Sequence, residues 1–175
     1  MGVDKATLKY HGAPQVDHVA DQLKTCCSEV FVSTYSGSKL MTTFAVLVDQ
    51  FDFKSPINGI LSALQFNPNV AWLAVAVDMP NVDMDVFKHL IQQRDKLKLA
   101  TCFYNRIERF PEPLLTIWEP AALKPLQAFV AGGQLSPKEF LRNHDVKLIE
   151  PADHLHLLNI NSPEELERYR RLNTS

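Results

Sequence analysis

Cysteine is scarce: the 175-residue chain has three, Cys26, Cys27 and Cys102. The number is odd, two are adjacent, and none shows the spacing of a zinc site. A disulfide framework is therefore not expected, and reduced thiols in a cytoplasmic protein are. There is no basic surplus either, since 18 Lys and Arg stand against 20 Asp and Glu for a net charge of −2. The electrostatic footprint of a nucleic-acid binder is missing. The longest apolar runs reach about half a bilayer span, so no membrane helix is expected. The first residues carry charges rather than an apolar core, so no secretory signal is expected. The dinucleotide glycine fingerprint and the Walker A pattern do not occur. Ser36-Gly37-Ser38 lacks the glycine spacing of a nucleophile elbow. The six histidines do not cluster at zinc spacing, and His154-x-His156 reads as a surface pair.

What remains is an ordinary globular composition, 46% hydrophobic and 22% charged. Residues 1–175 are long enough for a single domain with a real core. Pro14 suits the first turn of a helix whose apolar face is Val16, Val19, Ala20 and Leu23. Strands are expected at Glu29–Val32 and at Phe44–Val48, the second ending in Asp49, with Ser33–Gly37 as a loop. Ser55-Pro56 starts a helix buried through Ile57, Ile60, Leu61 and Leu64. A helix marked by Val82, Val86, Leu90 and Ile91 precedes strands at Leu99–Tyr104 and Glu112–Trp118. Residues 119–131 read as a helix restarted at Pro125 and closed by Gly132-Gly133. Ser136-Pro137-Lys138-Glu139 and Ser162-Pro163-Glu164-Glu165 are capping boxes, with short strands at Val146–Ile149 and Leu157–Ile160. Leu8–Tyr10 reads as a short extended piece. Strands alternating with helices predict a three-layer α/β fold on a mostly parallel sheet.

The stretch Trp72–Val77 is continuously apolar and ends in Asp78, with Pro80 two residues on. Such a run reads as the buried central strand of a parallel sheet. Ligands collect outside the carboxyl ends of strands in open α/β sheets. Asp78 is then either a site residue or a turn and helix cap, and Asp49 ends another strand in the same way. Two carboxylates and a lysine at one sheet edge suit a Mg²⁺–phosphate site. Lys5, in an early loop, is the candidate lysine, and an exposed surface lysine is the alternative.

Four motifs, Met1–Lys5, Ser55–Ile60, Asp78-Met79-Pro80 and Asn159–Leu166, taken together resemble those of the molybdenum cofactor guanylyltransferases. Met1–Lys5 looks like the tail of the nucleotidyltransferase signature L-x-G-G-x-S-x-R-M-G-x-D-K. Ser55-Pro56-Ile57-Asn58-Gly59-Ile60 is similar to the family's G-P-L-x-G-I, and Asp78-Met79-Pro80 to its D-x-P. Asn159-Ile160-Asn161-Ser162-Pro163 followed by Glu164, Glu165 and Leu166 is similar to N-x-N-T-P-E-E-L. The order fits from Met1 to about Arg170.

The resemblance implies a Rossmann-like nucleotide-diphospho-sugar transferase fold. It implies Mg²⁺-dependent transfer of GMP from GTP to molybdopterin, giving the guanine dinucleotide cofactor and pyrophosphate. Carried over, Lys5 and Asp78 are catalytic, and Asp78 is the metal ligand. Lys5, Asp49, Pro56, Gly59 and Asp78 contact the nucleotide, while Asn159 and Asn161 contact molybdopterin. Amides can bond a pterin edge in either sense, although Asn161 equally suits a cap before the last helix. Contacts with cofactor-insertion and apoenzyme partners are implied too, with no residue to mark them. Position 58 is Asn where the family favours a small residue, and Ser33-Thr34-Tyr35 lacks its nucleotide-contacting Asn. The sequence begins inside the signature, so the family's first strand and glycine loop are absent from it. Two other readings therefore stand beside the first. One is a cytidylyltransferase or other nucleotidyltransferase of the same fold; the other is an inactive nucleotide- or cofactor-binding domain.

Overall fold

A computed structural model describes residues 15–79, 81–106, 108–153 and 157. The first helix, α1 (Gln15–Leu23), buries Val16, Val19 and Ala20 on one stripe, as the spacing requires. β1 (Phe31–Thr34) and β2 (Ala45–Val48) follow and pair in parallel. β1 runs two residues beyond its expected end because Ser33 and Thr34 are held by ladder bonds opposite Leu47 and Val48. Apolar patterning cannot see that pairing. α2 (Ile57–Phe66) begins after Pro56 and buries Ile57, Ile60, Leu61 and Leu64.

β3 (Trp72–Val75), α3 (Met84–Gln92), β4 (Ala100–Asn105) and β5 (Phe110–Trp118) come next. Asp83 caps α3, its carboxylate accepting from the N–H groups of Asp85 and Val86. A 3₁₀ turn at Pro120–Ala122 leads into α4 (Leu123–Ala131), so Pro125 falls in a first turn, consistent with the expected restart. Gly133, at φ +78°, closes α4 in the left-handed region. α5 (Pro137–Asn143) is capped by Ser136, whose hydroxyl accepts from the Glu139 N–H. β6 (Lys147–Ile149) is the last described strand. The expected elements at Leu8–Tyr10, Leu157–Ile160 and from Ser162 onward involve residues outside the described ones, as does Pro80.

β3, β5, β4 and β6 form one sheet in that order. β3, β4 and β6 share a direction, and β5 runs against them. The α/β fold is as expected, on a mixed sheet whose one reversed strand follows from the β4–β5 hairpin. One expectation needs correcting. Trp72–Val77 is not the central strand, because β3 stops at Val75, pairs among the described residues with β5 alone, and is half-buried throughout. Its other edge faces a cavity that separates it from β1. The fully buried middle falls to β4 and β5.

Two apolar layers clamp the sheet. Ile57, Leu61 and Leu64 of α2 pack with Leu126 of α4, Phe140 and Leu141 of α5, and Trp118. On the other face Val19, Val86, Phe87 and Leu90 pack against Phe103, Leu115 and Ile117. Each large side chain so buried contributes roughly 1.5–3 kcal/mol. At the amino edge of β3 and β4, Arg94 forks onto Glu119 with bonds of 2.6 and 2.8 Å. Glu119 is 3% exposed, and the pair ties the end of α3 to the end of β5.

Candidate active site

The carboxyl ends of β1, β2 and β3 converge on a cavity of about 420 Å³. Asp49 leaves β2 with its N–H on the Thr34 carbonyl at 2.8 Å. Its Oδ1 accepts the Ser33 hydroxyl, also at 2.8 Å. The first turn of α2 presses on this pair. A Cβ on Gly59 would lie 2.6 Å from Ser33 Oγ and 3.4 Å from Asp49 Oδ1, so glycine is what allows the approach.

The loop after Asp49 is fastened to α2 by Asn58, which is 4% exposed. Its Nδ2 donates to the carbonyls of Phe51 at 2.6 Å and Phe53 at 3.2 Å, and its Oδ1 accepts from Phe51 N–H at 3.2 Å. Ser62 Oγ accepts the Gln50 N–H at 2.9 Å. The side chain that departs from the family's small residue is thus the latch that sets Asp49. The sequence marked Asn58 only as a departure from the family's small residue and did not mark Ser62, because a polar residue in a helix looks solvent-facing.

Asp78 stands on a turn just past β3. The Ala76 N–H still bonds the Leu114 carbonyl at 2.8 Å, after which the backbone turns through Val77 and Asp78. Asp49, Pro56, Gly59 and Asp78 all line the same cavity, with Ser33 among them. The two strand-ending carboxylates therefore do share one opening. Lys5, Asn159 and Asn161 lie outside the described residues. Among the described residues no three His, Cys, Asp or Glu side chains gather to hold a metal alone. An oxygen donor such as Asp78 fits Mg²⁺ if nucleotide phosphates and water complete the shell.

Glu112, near the start of β5, was not singled out by the sequence. β5 returns antiparallel to β3, with Val75 paired to Leu115, which brings the start of β5 to the end of β3 where Asp78 stands. Both residues line an adjoining cavity of about 380 Å³. Glu112 is 4% exposed, and burial pushes its carboxyl up to about 7. The Leu114 N–H and Lys138 pull the other way, while Glu108 and Asp78 add to the rise. At the opposite edge, Cys26 and Cys27 lie 4.0 Å apart, and burial first, then Cys26, pushes the Cys27 thiol up to about 12. Such a thiol stays protonated and offers no nucleophile.

This α/β arrangement recurs in solved structures of other proteins. A solved structure of molybdopterin-guanine dinucleotide biosynthesis protein A from Archaeoglobus fulgidus matches with a TM-score of 0.75 at 19% identity, over 99% of this chain and 92% of that one. The 2-C-methyl-D-erythritol 4-phosphate cytidylyltransferase of Thermus thermophilus matches at 0.73 and 13% identity, over 98% and 94%. Likeness at these identities speaks for the fold.

The family model of the MobA-like NTP transferase domain matches residues 1–148, and the chain belongs to that family. A molybdenum cofactor biosynthesis bifunctional protein of a Synechocystis species is 35% identical across 94% of this chain. The chain spans about half, 48%, of that relative's length. A molybdenum cofactor guanylyltransferase of Pseudomonas fluorescens is 26% identical over 96% of this chain and 86% of its own. Among the described residues no helix is long and apolar enough to cross a membrane.

Proposed function

We propose that the protein transfers GMP from GTP to molybdopterin, forming molybdopterin guanine dinucleotide and pyrophosphate. The observation that carries this reading is the convergence of Asp49, Pro56, Gly59 and Asp78 on one cavity in a MobA-like domain. An oxygen of the molybdopterin phosphate attacks the α-phosphorus of GTP, the α–β phosphate bond breaks, and pyrophosphate leaves. Such transfers depend on positioning and on electrostatics rather than on covalent catalysis by the protein. Asp78 would hold Mg²⁺, which when bound neutralises the phosphates. Asp49, fixed by Ser33 and by the Asn58 latch, presents its second oxygen to the nucleotide. Gly59 keeps the wall thin enough for that approach. Lys5 belongs to the phosphates and Asn159 and Asn161 to the molybdopterin side in this reading.

The test supplies molybdopterin, Mg²⁺ and GTP or CTP, and follows pyrophosphate release. GTP-dependent release supports the proposal; release with CTP alone moves it to cytidylyl transfer. No release with either nucleotide, from a protein carrying the complete signature, rejects it. Asp78→Asn is expected to lower turnover by about 100-fold or more with an unchanged circular dichroism spectrum. Undiminished turnover would remove Asp78 from the metal.

A further inference from the structure

The second cavity carries a group with bonding capacity to spare. Glu112 is almost wholly buried, its Oε1 meets only the Leu114 N–H at 3.4 Å, and its Oε2 has no partner among the described residues. A buried carboxylate oxygen without a partner is costly, and persists where something else supplies the bond. The neighbouring polar groups are already engaged. The Ser55 hydroxyl donates to the Leu135 carbonyl, Ser136 caps α5, and the Lys138 ammonium lies 3.2 Å over the Phe110 ring. Asp78 lines the same cavity as a second acid, and the rest of the wall is apolar, with Pro56, Pro113, Leu114 and Pro137.

We infer that Glu112 recognises a flat heterocycle through a ring N–H and an adjacent exocyclic amine, the 2-amino-4-oxopyrimidine edge shared by guanine and pterins. Such an edge donates two parallel bonds, which a carboxylate accepts side by side. The apolar part of the wall suits a ring face. Asp78 in the same cavity wall places this contact beside the transferring phosphates of the proposed reaction. The inference deepens the proposed guanylyl transfer and rests on it for the two candidate rings.

Equilibrium binding to the full chain separates them. GTP is compared with inosine triphosphate, which lacks the amine, and pterin-6-carboxylate with lumazine-6-carboxylate, which replaces it by oxygen. The wild type is expected to prefer the amine-bearing member of one pair by about 10- to 100-fold, and Glu112→Gln to lose that preference. Preference within the nucleotide pair assigns Glu112 to guanine; preference within the pteridine pair assigns it to the acceptor. Equal binding within both pairs, or a preference that survives Glu112→Gln, overturns the assignment and leaves guanylyl transfer standing. Selective binding without pyrophosphate release retains Glu112 and removes the transfer reading. A wild type that binds none of the four removes both.

Discussion

Replacing Glu112 by Gln should change how the stability of the protein responds to pH. The carboxyl is raised from the ordinary 4.5 to about 7, chiefly by burial. The folded chain therefore holds this proton more tightly than the open chain does. Below about pH 4.5 both states carry the proton and the group costs nothing. As pH rises through about 7 the folded state must ionise a buried carboxyl, and stability is lost. The gap between 4.5 and about 7, at roughly 1.4 kcal/mol per pH unit, comes to about 3.5 kcal/mol over the whole window.

Gln has the same shape and no such cost. Any penalty for burying its amide is the same at every pH, so the difference between the two profiles isolates the ionisation. Urea unfolding of both proteins at about pH 5 and about pH 8.5 is the assay. Relative to wild type, the variant should gain about 2.5 kcal/mol on moving to the higher pH, since part of the loss already lies below pH 5, equivalent to roughly 5–10 °C in melting temperature for a chain of this size. Other carboxylates titrate in both proteins and cancel. Parallel profiles would mean that Glu112 ionises as easily in the folded protein as in the open chain, and the reasoning from burial would be refuted.

Gly59→Ala forces Ser33 Oγ off Asp49, at about 1 kcal/mol in thermal unfolding, and weakens nucleotide binding; adding Ser33→Ala should recover most of the stability but not the affinity. Asn58→Ala strands the buried backbone groups of Phe51 and should cost about 2–3 kcal/mol by urea unfolding, while an unchanged midpoint would deny the latch. Arg94→Ala leaves Glu119 buried and unpaired, and a loss of about 3–5 kcal/mol is expected; a loss below about 1 kcal/mol would show that water reaches the carboxylate.

Much of this architecture was legible because local chemistry dictates it. Val16, Val19 and Ala20 face inward on α1, and Ser136 caps α5, for reasons contained in a few neighbouring residues. Asp49 and Asp78 stood out because a carboxylate ending an apolar strand has a restricted set of explanations. What failed were statements about partners. Whether Trp72–Val75 is central or marginal depends on which strands lie on either side, and an apolar run is equally consistent with both.

Glu112 is the sharper case. Between Pro111 and Pro113 it reads as the frayed start of a strand, where an acid is unremarkable. Its environment arises only when β5 turns back along β3 and brings it into the cavity wall that Asp78 also lines, with the start of α5 closing over the top. The same antiparallel return that spoils an all-parallel sheet therefore brings a second acid to the carboxyl edge. A parallel crossover strand would have begun at the far edge, and position 112 would have had no access to Asp78. The one reversed strand of the mixed sheet is thus the feature that builds the second cavity.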